Sequence, residues 1–235
     1  MPEKIQRKRA VVVSNEPLAS DIHELVLRPE APDGEPFRAG QHLWIEIDPE
    51  TRRPYSIASP PSRPREIELI LNRVPHGPVS NYLANLRPGN RVVYSGPTGS
   101  FHVDVATPND LLFVASGTGL APLRSMILDL IERRVERRID LVFGTRRRRD
   151  LIHPEEFRHL ESHRANFRYH PCLSRFGDED WSGHRGRVTA VLPQLFTDLR
   201  RTDAYICGRP EMVEDTIRVL LRLGIDRAAC HREGG

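Results

Sequence analysis

The hydrophobic pattern of the chain changes near residue 107, and this change limits the folds that the chain can adopt. Before it, short apolar or alternating runs are separated by turns rich in proline and glycine, for example at residues 32–34 (PDG) and 88–90 (PGN). Several short strands at this spacing are typical of an antiparallel barrel or sandwich. The predicted strands are 9–14, 23–27, 42–47, 67–71 and 91–95.

After residue 107, continuous apolar runs alternate with segments of helical periodicity. This alternation is typical of βαβ units in a doubly wound parallel sheet. We therefore predict two domains, an antiparallel all-β domain over residues 1–106 and an α/β Rossmann-like domain over residues 107–235. The predicted elements of the second domain are strands 111–115, 139–144, 167–173 and 204–207, a helix opened by Pro122, and helices 154–162, 188–199 and 210–223.

Composition and charge argue against several classes of protein. The formal net charge of +3 is too small to indicate a nucleic-acid partner, and no apolar run reaches the roughly 18 residues of a transmembrane helix. The charged N-terminus lacks the apolar stretch of a secretory signal, so a cytoplasmic location without membrane attachment is expected. The three cysteines, Cys172, Cys207 and Cys230, contain no Cys-x-x-Cys pair, which argues against disulfides, an iron–sulfur cluster or a metal site.

The segment 116–122 (SGTGLAP), which follows the first buried strand of the second domain, is suited to bind a pyrophosphate. Its two glycines allow close approach of the backbone, and the helix that follows offers unpaired N–H groups at the positive end of its dipole. The segment departs from the Gly-x-Gly-x-x-Gly fingerprint at Pro122 and lacks the lysine of a P-loop. Taken alone, it is equally compatible with an ordinary strand–turn–helix.

Four further segments contain residue types that bind phosphates or aromatic rings. In residues 53–56 (RPYS), an arginine can pair with a phosphate, a tyrosine can stack on a ring, and a serine can hydrogen-bond a ring heteroatom. Residues 77–80 (GPVS) read as a small-residue loop able to admit a phosphate, and residues 96–101 (GPTGSF) are a second glycine-containing loop. Residues 207–212 (CGRPEM) join a predicted strand end to a helix start, where ligands bind in open α/β sheets.

In their order and spacing, these five segments together resemble the ferredoxin–NADP reductase superfamily. The resemblance extends from about Val11 to Gly224. It implies that the first domain is an antiparallel Greek-key β-barrel that binds a flavin and that the second is a Rossmann-like parallel sheet that binds NAD(P). It also implies a flavin-dependent oxidoreductase that passes electrons from NAD(P)H through bound FAD to a separate iron–sulfur protein.

The resemblance implies roles for individual residues on the flavin side. Arg53 would contact the FAD pyrophosphate, Tyr55 would stack on the isoalloxazine, and Ser56 would hydrogen-bond near N5, the atom that accepts the hydride. These residues leave FMN open as an alternative to FAD. The other implied flavin-binding residues are Pro54, Gly77, Val79 (through its amide) and Ser80.

On the nicotinamide side, Cys207 would lie beside the nicotinamide as its hydride leaves, and the segment 116–122 would face the pyrophosphate. The implied catalytic residues are thus Tyr55, Ser56 and Cys207. The NAD(P)-binding residues implied at the two strand ends are Gly117, Thr118, Gly119, Pro122 and Gly208.

Arginines after the second and third parallel strands favour NADPH over NADH. Ser174 and Arg175 follow the third strand, where NADPH-using relatives place a Ser-Arg pair for the 2′-phosphate, and Arg146 supplies a second charge. No acidic partner for a ribose hydroxyl stands out at residues 145–149 (TRRRR). This run would also steer an acidic ferredoxin, and the alternative is that its arginines form a solvated edge.

Two features depart from the family pattern, and two functional alternatives stay open. Many members end in an aromatic residue that covers the flavin, whereas this chain ends in ACHREGG, where His231 is the candidate substitute. The iron–sulfur module of many relatives is missing, so a separate ferredoxin-type [2Fe–2S] protein and a downstream oxygenase are the partners expected by analogy. The alternatives are an NAD(P)H:flavin reductase that releases free reduced flavin and a non-enzymatic subunit that keeps the fold.

Overall fold

The computed structural model describes residues 6–48, 50–175 and 180–233, and the chain divides into two compact units. The first unit comprises Met1–His102 with Arg124–Arg133, and the second comprises Val103–Leu123 with Arg134–Gly235. The first contains an antiparallel sheet and the second a parallel sheet. The predicted domain boundary at residues 106 and 107 remains a prediction.

The first unit is built on a six-stranded antiparallel barrel. Its strands are ordered β4-β3-β6-β1-β2-β5, and a bridge between Ile57, just after β4, and Leu69 in β5 closes the sheet. Alternate residues such as Leu43 and Ile45 of β3 are fully buried inside, which confirms the predicted barrel. Its elements are β1 (Lys8–Ala19), β2 (Ile22–Pro29), β3 (His42–Glu46), β4 (Arg52–Ser56), β5 (Ile67–Asn72), α1 (Pro78–Ala84) and β6 (Arg91–Thr98).

The parallel sheet of the second unit has the strand order β10-β9-β8-β7-β11-β12. Residues 111–115 of β7 are fully buried, as expected for a central strand covered on both faces. The order reverses between β7 and β11, which is the mark of a doubly wound sheet and confirms the predicted Rossmann-like fold. The elements along this part of the chain are β7 (Asp110–Ser116), α2 (Leu120–Glu132), β8 (Ile139–Thr145), α3 (Pro154–His163), β9 (Phe167–Leu173), β10 (His184–Arg185), α4 (Val188–Leu195), β11 (Thr202–Cys207), α5 (Pro210–Arg222) and β12 (Cys230–Arg232). Helix α2 is divided after Leu123, and its remainder belongs to the first unit.

Two predicted helix boundaries are wrong. Helix α2 begins at Leu120, after a 3₁₀ turn over Gly117–Gly119, so Pro122 is its third residue and not its first. A proline is tolerated there because N–H groups of the first turn have no partner within the helix. Helix α4 ends at Leu195 and not at residue 199, because Phe196 is extended (φ −130°, ψ 133°) and buried against the sheet core.

A buried carboxylate, Glu35, ties the segment before β3 to two strands of the barrel. Its Oε1 accepts a hydrogen bond from Lys8 Nζ in β1, and its Oε2 accepts one from the Tyr94 hydroxyl in β6, both at 2.8 Å. The Lys8 ammonium also donates to the carbonyl of Gly96 at 2.9 Å. Removing the charge of Glu35 would leave a partly buried ammonium without its counter-ion. This destabilises the fold more than the loss of an exposed ion pair does.

We expect Glu35→Gln to lower the free energy of unfolding by about 1–3 kcal/mol. The Lys8 ammonium loses its counter-ion, and its partial exposure to water limits the cost. The matched control is Glu66→Gln, because Glu66 pairs with Arg28 and both side chains are more than half exposed. That control should cost less than about 1 kcal/mol. Urea unfolding followed by circular dichroism measures both, and equal losses in the two variants would contradict a special role for Glu35.

Candidate functional site

Two strand ends lie side by side where the strand order of the parallel sheet reverses. β7 and β11 are paired along their length, with Cys207 opposite Ala115. The Gly117–Gly119 turn leaves β7 directly, and helix α5 begins at Pro210, three residues after the end of β11. Ligands of open α/β sheets bind outside the carboxyl ends of the strands at this kind of reversal. The structure therefore brings together the predicted segments 116–122 and 207–212.

Glycine is favoured at the two positions of the turn for different structural reasons. A Cβ on Gly119 would collide with the backbone carbonyl of Cys207, so the turn rests directly on the end of β11. Gly117 has a left-handed φ of +55°, and a Cβ there would meet no atom within 4 Å, so this side of the turn is open. The first turn of α2 contains no acidic residue that would repel an anion. This open backbone at a helix start fits a pyrophosphate.

Cys207 is buried at this strand end and holds its thiol proton firmly. Its Sγ donates a hydrogen bond to Oε2 of Glu233 at 3.2 Å. Burial, and then the Glu233 carboxylate, raise the pKa of the Cys207 thiol far above its ordinary value. The group is thus a neutral thiol at physiological pH and not a thiolate nucleophile. Glu233 was missed in the sequence, where its only signal is its place just after the last apolar residues.

His231 lies in the last strand of the sheet. Its ring stacks on that of Tyr205 with centroids 4.7 Å apart and an angle of 18° between the ring planes. Tyr205 in turn stacks on Phe113 of β7 at 5.4 Å. The sequence suggested His231 as a substitute for a flavin-covering aromatic residue, and the structure places its ring against Tyr205.

The loops that follow β8 and β9 are joined by backbone hydrogen bonds. The N–H of Ser174 donates to the carbonyl of Thr145, and the N–H of Arg175 donates to the carbonyl of Arg146, both at 2.9 Å. The structure therefore brings together Arg146, Ser174 and Arg175, which were predicted to bind a 2′-phosphate. Both arginines are exposed, and neither forms an ion pair with a carboxylate in the described part of the chain.

On the barrel, the predicted flavin segment is strand β4 and its end. Arg53 and Pro54 are exposed, and a proline is compatible with this place at the edge of the sheet. Tyr55 packs partly buried against the barrel core, and this burial raises the pKa of its hydroxyl to about 12 despite the nearby Arg53. Ser56 is paired with His42 of β3. The Arg53 guanidinium donates from Nη1 to the carbonyl of Arg52 at 2.8 Å and stays exposed. An aromatic ring beside an exposed guanidinium fits a ligand that carries both a planar ring and phosphates.

The segment 77–80, interpreted as a loop, is instead the start of helix α1, with Gly77 as its N-cap. Proline is favoured at the first helical position, which explains why turn residues open a helix here. The buried Ser80 hydroxyl donates to the Gly77 carbonyl at 3.2 Å and accepts from the Val74 N–H at 3.3 Å, so it shapes the chain before α1. Val79 points into the barrel core. The pyrophosphate contacts implied for this segment stay predictions.

Two features of the described residues bear on other classes of site. No helix in these ranges is long and apolar enough to cross a membrane. Within the same ranges, no three or more His, Cys, Asp or Glu side chains are grouped so that they could hold a metal ion. The exposed rings of His159 and His163 on α3 lie with their centroids 4.0 Å apart.

Comparison with known proteins identifies both halves of the chain. A family model described as "Oxidoreductase FAD-binding domain" matches residues 9–103, and one described as "Oxidoreductase NAD-binding domain" matches residues 113–218. Ferredoxin–NADP reductase B of Sorangium cellulosum (strain So ce56) is 36% identical over 237 residues, which cover 95% of this chain and 96% of that protein. The chain belongs to the ferredoxin–NADP reductase superfamily.

Two further similar proteins are named after a monooxygenase and a cytochrome P450. The reductase component DmpP of phenol 2-monooxygenase from Pseudomonas sp. (strain CF600) is 35% identical over 222 residues, and the match spans 93% of this chain and 62% of DmpP. The crystal structure of the Amycolatopsis cytochrome P450 reductase GcoB superposes with a TM-score of 0.89 at 27% identity, covering 97% of this chain and 69% of that one. The chain is thus an oxidoreductase with FAD- and NAD(P)-binding domains.

We expect Glu233→Gln to lower the pKa of the Cys207 thiol, because the neutral amide no longer opposes formation of a thiolate. Alkylation of Cys207 by iodoacetamide, resolved by mass spectrometry, should then extend to lower pH than in the unaltered protein. Glu214→Gln is the matched control, since Glu214 is exposed and pairs with Arg232. An unchanged alkylation profile in Glu233→Gln would contradict the assigned contact.

Proposed function

We propose that this chain oxidises NADPH and passes the electrons through bound FAD to a separate, acidic iron–sulfur protein. The observation that carries the proposal is the meeting of the open Gly117–Gly119 turn with Cys207 at the reversal of the parallel sheet. When bound, FAD supplies the chemistry that converts a two-electron hydride into single electrons. The protein's own task is to bind and orient the two cofactors and to set the charge around them.

At the end of β11, Cys207 and Glu233 suit the departure of a hydride from nicotinamide. The ring becomes positively charged when it loses the hydride, and the carboxylate of Glu233 behind the neutral thiol favours that charge. The backbone N–H groups of Gly117, Thr118 and Gly119 hold the pyrophosphate at the start of α2. Cys207 contacts the nicotinamide, and Glu233 acts through it.

On the barrel, Tyr55 stacks on the isoalloxazine, Arg53 pairs with the FAD pyrophosphate, and Ser56 hydrogen-bonds near N5. Support comes from the partly buried Tyr55 ring beside the exposed Arg53 on one short strand. Gly77 and the backbone N–H of Val79 add the second pyrophosphate contact. Ser80 supports this contact by fixing the chain just before α1.

NADPH is the proposed donor because Arg146, Ser174 and Arg175 are held together by the joined loops after β8 and β9. Two exposed guanidinium groups without described carboxylate partners, next to a hydroxyl, are a suitable pair for a dianionic 2′-phosphate. NADH lacks this phosphate and would forgo both contacts.

The proposed acceptor is an acidic ferredoxin-type [2Fe–2S] protein that serves an oxygenase. Similarity to the reductase component of phenol 2-monooxygenase supports an oxygenase system. Arg147, Arg148 and Arg149 are all exposed, and none forms an ion pair with a described carboxylate. The carboxylate of Asp150 in the same turn accepts the backbone N–H of Arg147, so the turn keeps a net positive charge. Such a patch speeds the encounter with an acidic partner and does so most at low salt.

The decisive test is the absorbance spectrum of the purified protein after extensive dialysis. We expect retained flavin bands that NADPH bleaches anaerobically, and slower bleaching in Cys207→Ala with the same FAD content. Arg53→Ala should instead lose flavin on dialysis. A colourless protein that oxidises NADPH only with added free flavin would replace the proposal by a flavin reductase, and a colourless protein inert in both assays would indicate a non-enzymatic subunit.

The acceptor is tested by adding a purified acidic [2Fe–2S] ferredoxin to the NADPH-reduced protein. Its reduction should slow as ionic strength rises, because salt screens the arginine turn. Reduction of a neutral quinone serves as the control and should not depend on salt. Equal salt dependence for both acceptors would contradict electrostatic docking.

Replacing Arg175 by Ala should lower kcat/KM for NADPH by about 10- to 100-fold and leave kcat/KM for NADH unchanged, since a charge-assisted contact to phosphate contributes about 1.5–3 kcal/mol. Arg164→Ala, an exposed arginine at the end of α3, is the control and should change neither value. Steady-state kinetics with both nucleotides measures this. A similar loss with NADH would show that Arg175 does not read the 2′-phosphate.

A further inference from the structure

The position of Glu233 depends on the register of a strand only three residues long. β12 runs parallel to β11, with Tyr205 level with His231 and Ile206 level with Arg232. Glu233 therefore comes level with Cys207, and its carboxylate accepts a hydrogen bond from the Cys207 thiol. Because side chains alternate between faces, a slip of one residue would turn the carboxylate to the other side of the sheet.

The ring of Tyr205 is a rigid surface against which β12 packs. Its ring lies between those of Phe113 at 5.4 Å and His231 at 4.7 Å, so one face is packed inside the sheet and the other receives the last strand. Its hydroxyl accepts the backbone N–H of Asp104 at 3.0 Å, which fixes the far end of the ring. Tyr205 itself is fully buried. Of the stacked rings, that of His231 is the one that can be replaced while Phe113 and Tyr205 stay packed.

The other contacts of β12 are weaker sources of register. The ion pair between Arg232 and Glu214 joins two side chains that are each more than half exposed, and such pairs contribute little. Cys230 is only partly buried, at the margin of the core formed with α4 and α5. β12 stands at the edge of the sheet, and among the residues that the structure describes β11 is the one strand that pairs with it.

We propose that His231 is a positioning residue: stacked on Tyr205, its ring fixes the register of β12 and so keeps the Glu233 carboxylate on the Cys207 thiol. The ring makes this contact as a flat aromatic surface, so its charge is not required. The kinetic consequence rests on the proposed function, in which Glu233 acts through Cys207, whereas the structural consequence does not.

The test compares His231→Ala, His231→Gln and His231→Phe in the full chain. The first two remove the ring, and the third restores a flat ring of similar size. Without the ring, the pH profile of Cys207 alkylation should move to lower pH, as in Glu233→Gln, and NADPH should bleach the flavin several-fold more slowly at unchanged FAD content. His231→Phe should recover both the profile and the rate.

Arg232→Ala is the control, because it removes the exposed ion pair of the same strand, and it should leave both readouts unchanged. The proposal is overturned if the ring-less variants keep the original alkylation profile, if His231→Phe fails to restore it, or if Arg232→Ala has the same effect. If the alkylation profiles behave as expected while NADPH bleaches no flavin even in the unaltered protein, His231 keeps its positioning role and the proposed function fails.

Discussion

The pairing of β7 with β11 is the constraint on which the second unit depends. These strands are neighbours in the sheet although most of the unit's sequence lies between them, and the strand order reverses at their junction. Two loops therefore open at one place, and only a glycine at position 119 lets the first loop rest on the carbonyl of Cys207. The place proposed for the dinucleotide therefore follows from the strand order.

The chemistry at that junction is set by burial and by one carboxylate. The buried thiol of Cys207 stays protonated because its surroundings and Glu233 both oppose a negative sulfur. Glu233 reaches it only through β12, a strand held by a stack of three rings across the sheet. In the proposed function, β12 and Glu233 are therefore part of the site.

The sequence was most informative where apolar runs are long. Strand β9 was predicted with its observed ends, and both sheets followed from the change of pattern near residue 107. β10 and β12 were not predicted, because two or three residues show no periodicity. Helix α1 was interpreted as a loop, since glycine and proline signal a turn and a helix start alike.

For side chains too, the sequence predicts what depends on neighbouring residues and misses what depends on residues far apart in the chain. The segments predicted to bind the cofactors are each contiguous in sequence, so their motifs could be recognised, and their roles stay predictions. Glu35 and Glu233 lie in polar stretches, and their partners Tyr94 and Cys207 are far along the chain. Their importance depends on packing and strand register, which no local pattern contains.

The most direct test of this account is anaerobic stopped-flow mixing of NADPH with the Gly119→Ala variant, with flavin bleaching as the signal. The added methyl group must push the turn away from the Cys207 carbonyl. The account predicts unchanged FAD content, weaker binding of NADPH and a bleaching rate reduced by at least about tenfold, which corresponds to about 1.4 kcal/mol. A variant that binds NADPH and bleaches like the unaltered protein would show that nicotinamide binds elsewhere.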